Sequence, residues 1–123
     1  MEIRELTKAE EQVMRVVWQI GRGTIKNVSD QMPEPKPAYN TVATVLKVLK
    51  TKGFTDFEAD GSTYAYFPLI GEKEYRRFAF DKIFDSYFSG SYHSLVSFLV
   101  EEKTMDEDTH LRLKQLADKL KDH

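Results

Sequence analysis

The feature that most constrains the fold of this chain is the dipeptide Asp60-Gly61, which separates two short runs rich in aromatic and β-branched residues. The runs cover residues 54–59 and 62–67, and Pro68 ends the second of them. An Asp-Gly pair in this setting predicts a β-hairpin with a type I′ turn, which requires a positive φ angle at both central residues. Because a two-stranded hairpin is only marginally stable alone, we expect this one to pack against helices.

Three helical segments precede the hairpin. Thr7 and Glu10 have the spacing of a capping box at the start of the first segment, and Thr24 is the expected N-cap of the second. Three prolines between residues 33 and 37 end the second segment, because the residue before a proline avoids helical backbone angles. Three short helices followed by a hairpin predict a winged helix-turn-helix domain over residues 1–70, and hence a mainly α fold with a small β-hairpin.

The third helical segment, residues 37–54, has one apolar face and one polar face. Its apolar residues recur at helical spacing and predict a buried face. The opposite face carries short polar side chains and lysines, which is the form of a helix that reads the DNA major groove. An ordinary amphipathic surface helix shows the same pattern, so this face alone does not separate the two interpretations. The residues assigned mainly to the core are Val42, Val45, Leu46, Val48 and Leu49, with contact to a thymine methyl group as the alternative for Val48.

The distribution of charge bears on the choice between these interpretations. The formal net charge of −2 argues mildly against nucleic acid, because proteins that bind it tend to be basic. From Pro35 to Thr55, however, there are four lysines and no acidic residue, and the local field matters more than the total charge for steering a ligand. We therefore predict DNA contacts from this face, from the lysine before it and from the hairpin tip: Lys36, Tyr39, Asn40, Thr41, Thr44, Lys47, Lys50, Lys52, Asp60 and Gly61.

Residues 71–123 contain three further helical segments, which hold much of the apolar surface of the chain. The first carries its apolar side chains on one side, the second is almost wholly apolar over residues 94–100, and Asp106 is the expected N-cap of the third. Because so short a region cannot bury this surface within one copy, we predict that it forms an obligate homodimer. The alternative is that these helices pack back onto the hairpin. The predicted dimerisation residues are Tyr75, Phe78, Ile83, Tyr87, Phe88, Leu95, Phe98, Leu99, Leu113, Leu116 and Leu120.

The sequence carries no motif for catalysis or for a cofactor. Without cysteine there is no disulfide, no cysteine metal site and no thiol nucleophile. The histidines, His93, His110 and His123, lack the spacing of metal ligands, and no serine has a histidine partner in a recognisable motif. No apolar run approaches the ~18 residues of a membrane span, and the N-terminus lacks the layout of a signal peptide. We expect a cytoplasmic protein that is not an enzyme and holds no cofactor or metal.

Nearly from end to end, the chain resembles the penicillinase repressor family, the BlaI and MecI type of winged-helix repressor, to which copper-responsive repressors are related. The order and spacing of four loose motifs carry the resemblance. These motifs are Leu6-Thr7 with Glu10, Val13-Met14 and Trp18 in the first helix; Tyr39-Asn40-Thr41-Val42 with Thr44, Leu46, Leu49, Lys52 and Gly53 in the third; Tyr64-Ala65-Tyr66-Phe67-Pro68-Leu69 in the wing; and Ser94-Leu95-Val96-Ser97-Phe98 before an acidic, capped last helix.

The resemblance implies a homodimeric transcriptional repressor, associated with antibiotic resistance, that binds a palindromic double-stranded DNA operator. It also implies induction by proteolysis, in which a membrane-bound sensor metalloprotease responds to β-lactam and the C-terminal dimerisation part is cut before a phenylalanine. The bond that this indicates here is Ser97-Phe98. Family members often have arginine, the residue that most commonly contacts guanine, where this chain has Ala43 and Val48, so we expect a different operator sequence. The cysteine motif of the copper-responsive relatives is absent, which argues against copper sensing.

Two other functions stay open at the level of sequence. A winged helix also serves as a protein-interaction module, which the acidic total charge favours and the lysine-only face of the third helix opposes. A repressor released by a small ligand bound among the C-terminal aromatic residues is the second alternative, although such residues more often form core than pocket.

Overall fold

The computed structural model describes residues 2–101 and 105–121. The chain divides into two compact units, Met1–Arg77 and Phe78–His123, which we call the N-terminal and C-terminal units. The predicted class, mainly α with a small β-hairpin, is confirmed. The elements of the described residues are α1 Lys8–Ile20, β1 Gly23–Thr24, α2 Ile25–Gln31, α3 Tyr39–Thr51, β2 Thr55–Asp60, β3 Thr63–Pro68, α4 Glu72–Phe88, α5 Tyr92–Val100 and α6 Glu107–Lys119, so that the division between the units falls inside α4.

Local capping chemistry determines where α1 and α2 begin. The Glu10 N–H donates to Thr7 Oγ1 at 3.2 Å while the Thr7 N–H donates to Glu10 Oε1 at 2.9 Å, which is the predicted capping box. Thr24 and Asn27 form the same reciprocal pair at 3.1 and 3.0 Å. Both N-cap predictions are confirmed, and each box satisfies two backbone donors that a helix otherwise leaves unpaired.

The core of the N-terminal unit lies where α1, α2, α3 and the start of β2 meet. Burial of one Val, Leu, Met or Phe side chain contributes about 1.5–3 kcal/mol, so this shared core, more than helix propensity, holds the three short helices together. Its large apolar side chains that are at most 2% exposed are Val13, Met14, Val17, Val28, Val42, Leu46, Leu49 and Phe54.

The wing is part of a three-stranded antiparallel sheet in the order β1-β3-β2. Asp60 pairs with Thr63 across the turn, so the central turn residues are Gly61 and Ser62, both exposed, and of these only Gly61 has a positive φ, 64°. The predicted type I′ turn centred on Asp60-Gly61 is therefore wrong by one residue. A glycine with positive φ at the first central position alone is the pattern of a type II′ turn.

The third strand, β1, pairs Gly23 with Tyr66 and Thr24 with Ala65 of β3. The sequence does not predict it, because two residues are too few to show an alternating pattern. Glycine fits closely at its first position, since an added Cβ on Gly23 would lie 2.6 Å from Ile20 Cδ1 and 3.0 Å from Asn27 Cβ, so that the Ile20 side chain would have to move.

The first turns of α4 belong to the N-terminal unit. The Leu6 N–H donates to the Tyr75 hydroxyl at 2.9 Å, and the Tyr75 ring lies 5.5 Å from the ring of Phe54 and 6.0 Å from that of Trp18. The Trp18 indole N–H in turn donates to the Ile70 carbonyl at 2.8 Å. Because these contacts close the core, the compact unit continues past residue 70, where the sequence places the domain boundary. Tyr75 is 6% exposed and acts here as a core residue, not as the surface contact that we predict for it.

The C-terminal unit buries few of its apolar side chains. Phe84, Val96 and Ala117 are its buried apolar residues in the described part of the chain. Beside Phe84, Ile83 is 52% exposed and Tyr87 is 79% exposed. Apolar side chains thus lie all around this part of α4, and the prediction that they share one side is wrong. Residues three or four apart share a face of a helix, but the adjacent pairs Ile83-Phe84 and Tyr87-Phe88 each span about 100° around it.

Turns and caps separate the helices of this unit. Ser89 and Gly90 have φ angles of 50° and 69° and end α4. Ser91 caps α5, and Asp106 caps α6 by accepting from the Thr109 N–H at 2.7 Å, which confirms the predicted cap. That hydrogen bond holds the pKa of Asp106 below its ordinary value.

Candidate nucleic-acid interface

α3 presents two chemically different faces. Val42, Leu46 and Leu49 are fully buried in the N-terminal unit. On the opposite side, polar residues at spacings of three or four are exposed to solvent. A single helix with such a face is what the major groove of B-DNA, about 12 Å wide, admits. The polar residues along this face are Asn40, Thr44, Lys47 and Thr51.

Val48 lies on the exposed face, four residues after Thr44. It is 37% exposed, so its assignment to the core is wrong, while Val45 is half-buried at the border between the two faces. A β-branched residue at helical spacing from the core reads as core in the sequence, and only the packing of α3 shows that its methyl groups point to solvent. There they are available for apolar contact with a thymine methyl group.

The threonine hydroxyl groups on this face are used within the helix. Thr44 Oγ1 donates to the Asn40 carbonyl at 2.9 Å, and Thr51 Oγ1 donates to the Lys47 carbonyl at 3.1 Å. Their methyl groups and remaining oxygen lone pairs are left for a ligand, so each threonine offers an acceptor and an apolar contact. The predicted contacts do not include Thr51, although its position four residues after Lys47 is the signal that places it on this face.

The first turn of α3 holds the other predicted contacts. Tyr39, Asn40 and Thr41 are all exposed. The N-cap residue Ala38 makes no side-chain hydrogen bond to this turn. The backbone N–H groups at the start of α3 therefore lack a side-chain acceptor, and the partial positive charge of the helix N-terminus favours an anion there.

The lysines near α3 differ in their surroundings. Lys47 is exposed and has no ion-pair partner in residues 2–101 and 105–121. Lys36 is also exposed, and its Nζ donates at 2.9 Å to the carbonyl of Asp30, which lies in the last turn of α2. Lys50 Nζ lies 3.8 Å from Asp56 Oδ1 at the border with the wing. These three ammonium groups are accessible from solvent.

Lys52 is in a different position. Its Nζ lies 2.7 Å from Glu10 Oε1, and the two side chains are only 21% and 10% exposed. Burial acts to raise the pKa of Glu10, but the hydrogen bonds from Lys52 and from the Thr7 N–H outweigh it, so this pKa lies below its ordinary value of 4.5. Lys52 therefore joins the end of α3 to the start of α1, a position that does not match the phosphate contact we predict for it.

The wing carries acidic side chains. The exposed tip residue Asp60 is preceded at alternate positions of β2 by Asp56 and Glu58. Glu58 Oε1 accepts a hydrogen bond from Arg22 Nε at 2.7 Å, which raises the pKa of Arg22 above its ordinary value. A wing that lies along the DNA backbone would thus bring carboxylates near phosphates.

The residues predicted for dimerisation lie, apart from Tyr75, in the C-terminal unit, and none of them is fully buried. The Ser97-Phe98 bond, which the resemblance indicates for cleavage, lies inside α5; Phe98 is 59% exposed, and its ring lies 5.5 Å from that of Phe88. The exposed members of the set are Ile83, Tyr87, Phe98, Leu99 and Leu116, and the half-buried members are Phe78, Phe88, Leu95, Leu113 and Leu120.

The histidines do not form a metal site in the described residues, where no group of three or more metal-ligating side chains comes together. His93 Nε2 lies 3.4 Å from Ser97 Oγ, one turn along α5, and His110 is half-buried in α6. His123 lies outside the described residues. Nor does this part of the chain include a helix with the length and apolar character needed to cross a membrane.

Comparison with known proteins adds to this geometry. A family model described as penicillinase repressor matches residues 6–119. The methicillin resistance regulatory protein MecI of Staphylococcus aureus is 24% identical over 116 residues, which cover 94% of each chain. The penicillinase repressor of Bacillus licheniformis is 24% identical over 108 residues, 86% of this chain and 84% of that one.

Among solved structures, the chain is similar to the solution structure of Bacillus licheniformis BlaI in its monomeric form in complex with the blaP half-operator. The match has 27% sequence identity and a TM-score of 0.51, and it covers 60% of this chain and 92% of the BlaI chain. Because the family model spans the winged helix and the helices that follow it, the chain belongs to the penicillinase repressor family.

Proposed function

We propose that this chain is a DNA-binding transcriptional repressor, not an enzyme, and that it binds its operator through the exposed face of α3. The observation that carries the proposal is the division of α3 into a fully buried apolar face and an exposed face of short polar and lysine side chains. The similarity to BlaI, which was solved in complex with a half-operator, and the match to the repressor family support it.

Base readout comes from side chains along the length of the exposed face of α3. The Asn40 amide offers both a donor and an acceptor, the combination that pairs with adenine in the major groove. Thr44, Val48 and Thr51 add methyl groups that fit the methyl group of thymine. No arginine lies on α3, so the operator is expected to depend less on bidentate contacts to guanine than those of repressors with arginine at these positions.

Phosphate contacts come from lysines on this face and beside it, and from the start of α3. Lys36, Lys47 and Lys50 are the accessible cations, and the first turn of α3 adds backbone N–H groups for a phosphate. Lys52 is left out of this set because Glu10 already holds its ammonium group.

We further infer that two copies bind together through their C-terminal units. In each copy α4, α5 and α6 leave large apolar side chains exposed, among them Ile83, Tyr87 and Phe98. Such a surface favours association with a second apolar surface. When two copies are linked, their two α3 helices, which we call the reading helices, bind two half-sites together. Once one half-site is bound, the effective concentration of the second reading helix is far higher than that of a free monomer.

Release of the operator follows, in this proposal, from cleavage in α5 at or near Ser97-Phe98 by a membrane-bound sensor metalloprotease. The exposure of Phe98 supports access to this segment, although α5 has to unwind before a protease can hold it in extended form. Mass spectrometry of the chain recovered from its own host after β-lactam treatment should show a fragment that ends at Ser97. A chain that stays intact while its target genes are induced would contradict this step.

Binding to DNA is tested by fluorescence anisotropy with a labelled duplex from upstream of the chain's own gene and a scrambled duplex of the same length. Asn40→Ala should weaken binding to the upstream duplex by about 1–3 kcal/mol and reduce the preference over the scrambled duplex. Lys47→Ala should weaken both duplexes alike, because a phosphate contact carries no sequence information. Lys114→Ala, which removes the same charge from an exposed position on α6, is the matched control. Equal affinity of the unmodified protein for the two duplexes would contradict the proposal.

A further inference from the structure

The flank of α3 that borders the wing holds a cluster of charged and aromatic side chains that the proposed base readout does not use. Lys50 Nζ lies 3.8 Å from Asp56 Oδ1 and 4.9 Å from the centre of the Phe57 ring. The Phe57 ring is itself held in place, because it stacks on Tyr64 at 4.6 Å and meets the edge of Tyr66 at 5.4 Å. The ammonium group of Lys50 is thus placed against the wing by a carboxylate and by an aromatic face.

The position of the Asp56 carboxylate is fixed by the backbone. The same Oδ1 atom accepts from the Phe57 N–H at 2.8 Å, which orients the carboxylate at the start of β2. The side chains of Lys50 and Asp56 are 41% and 48% exposed, so the pair lies at the surface where a phosphate can reach it.

We propose that Asp56 is an internal competitor of DNA phosphate for Lys50, and that it lowers the affinity of the reading face for any duplex. The inference rests on the proposed function, because it concerns the same face of α3. A phosphate that approaches Lys50 meets an ion pair with no net charge in place of a lone cation. The Asp56 carboxylate also lies within one Debye length, about 8–10 Å, of that phosphate and repels it.

Asp56 differs from the other two acidic residues of β2 in its partner. Glu58, two residues along β2, is paired with Arg22 and not with α3, and Asp60 lies at the wing tip. Of the three carboxylates on β2, Asp56 is therefore the one that holds a cation of the reading helix. Because backbone contacts dominate affinity and carry no sequence information, its effect falls on specific and non-specific binding alike.

The test uses Asp56→Asn in the full chain. The amide oxygen of asparagine keeps the acceptor for the Phe57 N–H, while the charge that holds Lys50 is removed. Anisotropy titrations with the upstream duplex and with the scrambled duplex, repeated between about 0.05 and 0.3 M salt, measure affinity and its salt dependence. We expect about three- to tenfold tighter binding of both duplexes at the lowest salt, and a logarithmic salt slope steeper by about 0.9 for each bound copy.

Two further variants test whether Asp56→Asn changes the affinity for DNA through Lys50 or only through the net charge of the protein. In a Lys50→Met background, Asp56→Asn should raise the affinity by clearly less than it does when Lys50 is present, because only the direct repulsion of the phosphate is then relieved. Glu11→Gln also removes one negative charge and so breaks the ion pair with Arg15 within α1. This variant should leave the salt slope unchanged. Unchanged or weaker binding by Asp56→Asn, or an equal gain in the Lys50→Met background, would overturn the inference while the unmodified protein still binds DNA. Failure of the unmodified protein to bind either duplex would overturn the proposed function and this inference with it.

Discussion

The two units of the chain differ in how completely they bury their apolar side chains. In the N-terminal unit, α1, α2, α3 and Phe54, which precedes β2, pack together and leave eight large apolar side chains at most 2% exposed. In the C-terminal unit the most buried large side chains, Phe84 and Val96, keep 8% and 7% of their surface, and Ile83 and Tyr87 are mostly exposed. The first unit therefore has a complete core, and the second leaves large apolar side chains exposed to solvent.

This difference matches the two roles that we propose, DNA contact by the N-terminal unit and dimerisation by the C-terminal unit. The exposed face of α3 belongs to the unit with the complete core, so its geometry does not depend on a partner. The incomplete burial belongs to the unit that we propose for dimerisation and cleavage. A change in the C-terminal unit can therefore alter how many copies of the chain bind the operator together, while the structure of α3 stays the same.

The largest expected effect comes from removal of the C-terminal unit. A fragment that ends at Arg77 should fold and sediment as a monomer, because it retains Ile70 and Tyr75 of the core. Its affinity for the full operator should fall about 10²–10⁴-fold with the loss of the second reading helix. A fragment that ends at Phe67 should melt at a lower temperature, because it lacks both core residues. Sedimentation of the longer fragment as a dimer would contradict the division of tasks.

Core truncation is expected to act differently in the two units. Leu46→Ala removes a fully buried side chain from α3 and should lower the free energy of unfolding by about 2–5 kcal/mol at every protein concentration. Leu116→Ala, on the partly exposed face of α6, should instead lower stability by an amount that grows on dilution, since it weakens association. Urea denaturation at several protein concentrations measures both. The comparison fails if Leu116→Ala shows no dependence on concentration.

The ion pair between Glu10 and Lys52 ties the reading helix into the complete core. Glu10→Gln should lower the free energy of unfolding by about 1–3 kcal/mol at pH 7. Because the pKa of folded Glu10 lies below its ordinary value of 4.5, the native protein is stabilised above that value and loses this contribution as the pH falls through the folded pKa. The difference between variant and unmodified protein should therefore shrink below about pH 4.5. A difference that stays constant from pH 7 to pH 3 would show that the carboxylate charge is not involved.

The smallest effect is expected at Thr55, a buried polar residue of the N-terminal unit. Thr55 is 1% exposed, and its Oγ1 has no hydrogen-bond partner among the described residues. Thr55→Val replaces the hydroxyl with a methyl group of similar size and should raise the free energy of unfolding by about 1 kcal/mol. Thr63→Val, at an exposed position of β3, serves as the control and should change it by less than about 0.5 kcal/mol. A loss of stability in Thr55→Val would contradict the assignment of an unsatisfied hydroxyl.

Features that depend on neighbouring residues in the chain are predictable from the sequence. The caps at Thr7, Thr24 and Asp106 follow from hydrogen bonds with residues three positions further along the chain, and the order of three helices and a hairpin follows from periodicity. The turn type is less predictable from the sequence. The Asp-Gly pair indicates a turn, but the pairing of Asp60 with Thr63 decides which residues occupy it.

Features that depend on contacts between distant parts of the chain are not predictable in this way. Lys52 looks like a phosphate contact until the fold brings Glu10 to it from 42 positions away. Tyr75 looks like one more aromatic residue of the C-terminal helices until its hydroxyl meets the Leu6 N–H, 69 positions away. Val48 has the spacing of a core residue but faces solvent. In each case tertiary packing decides between two roles that the local pattern allows.

The salt dependence of binding to the upstream duplex tests the central claim most directly, that two reading helices with accessible lysines bind one operator. Each phosphate neutralised contributes about −0.9 to the slope of log K against log salt concentration. With Lys50 held by Asp56, Lys36 and Lys47 on two copies predict a slope of about −4, which should steepen to about −5 when Asp56→Asn frees Lys50. A slope near zero would contradict the electrostatic account of the α3 face and, with it, the proposal that this face binds DNA.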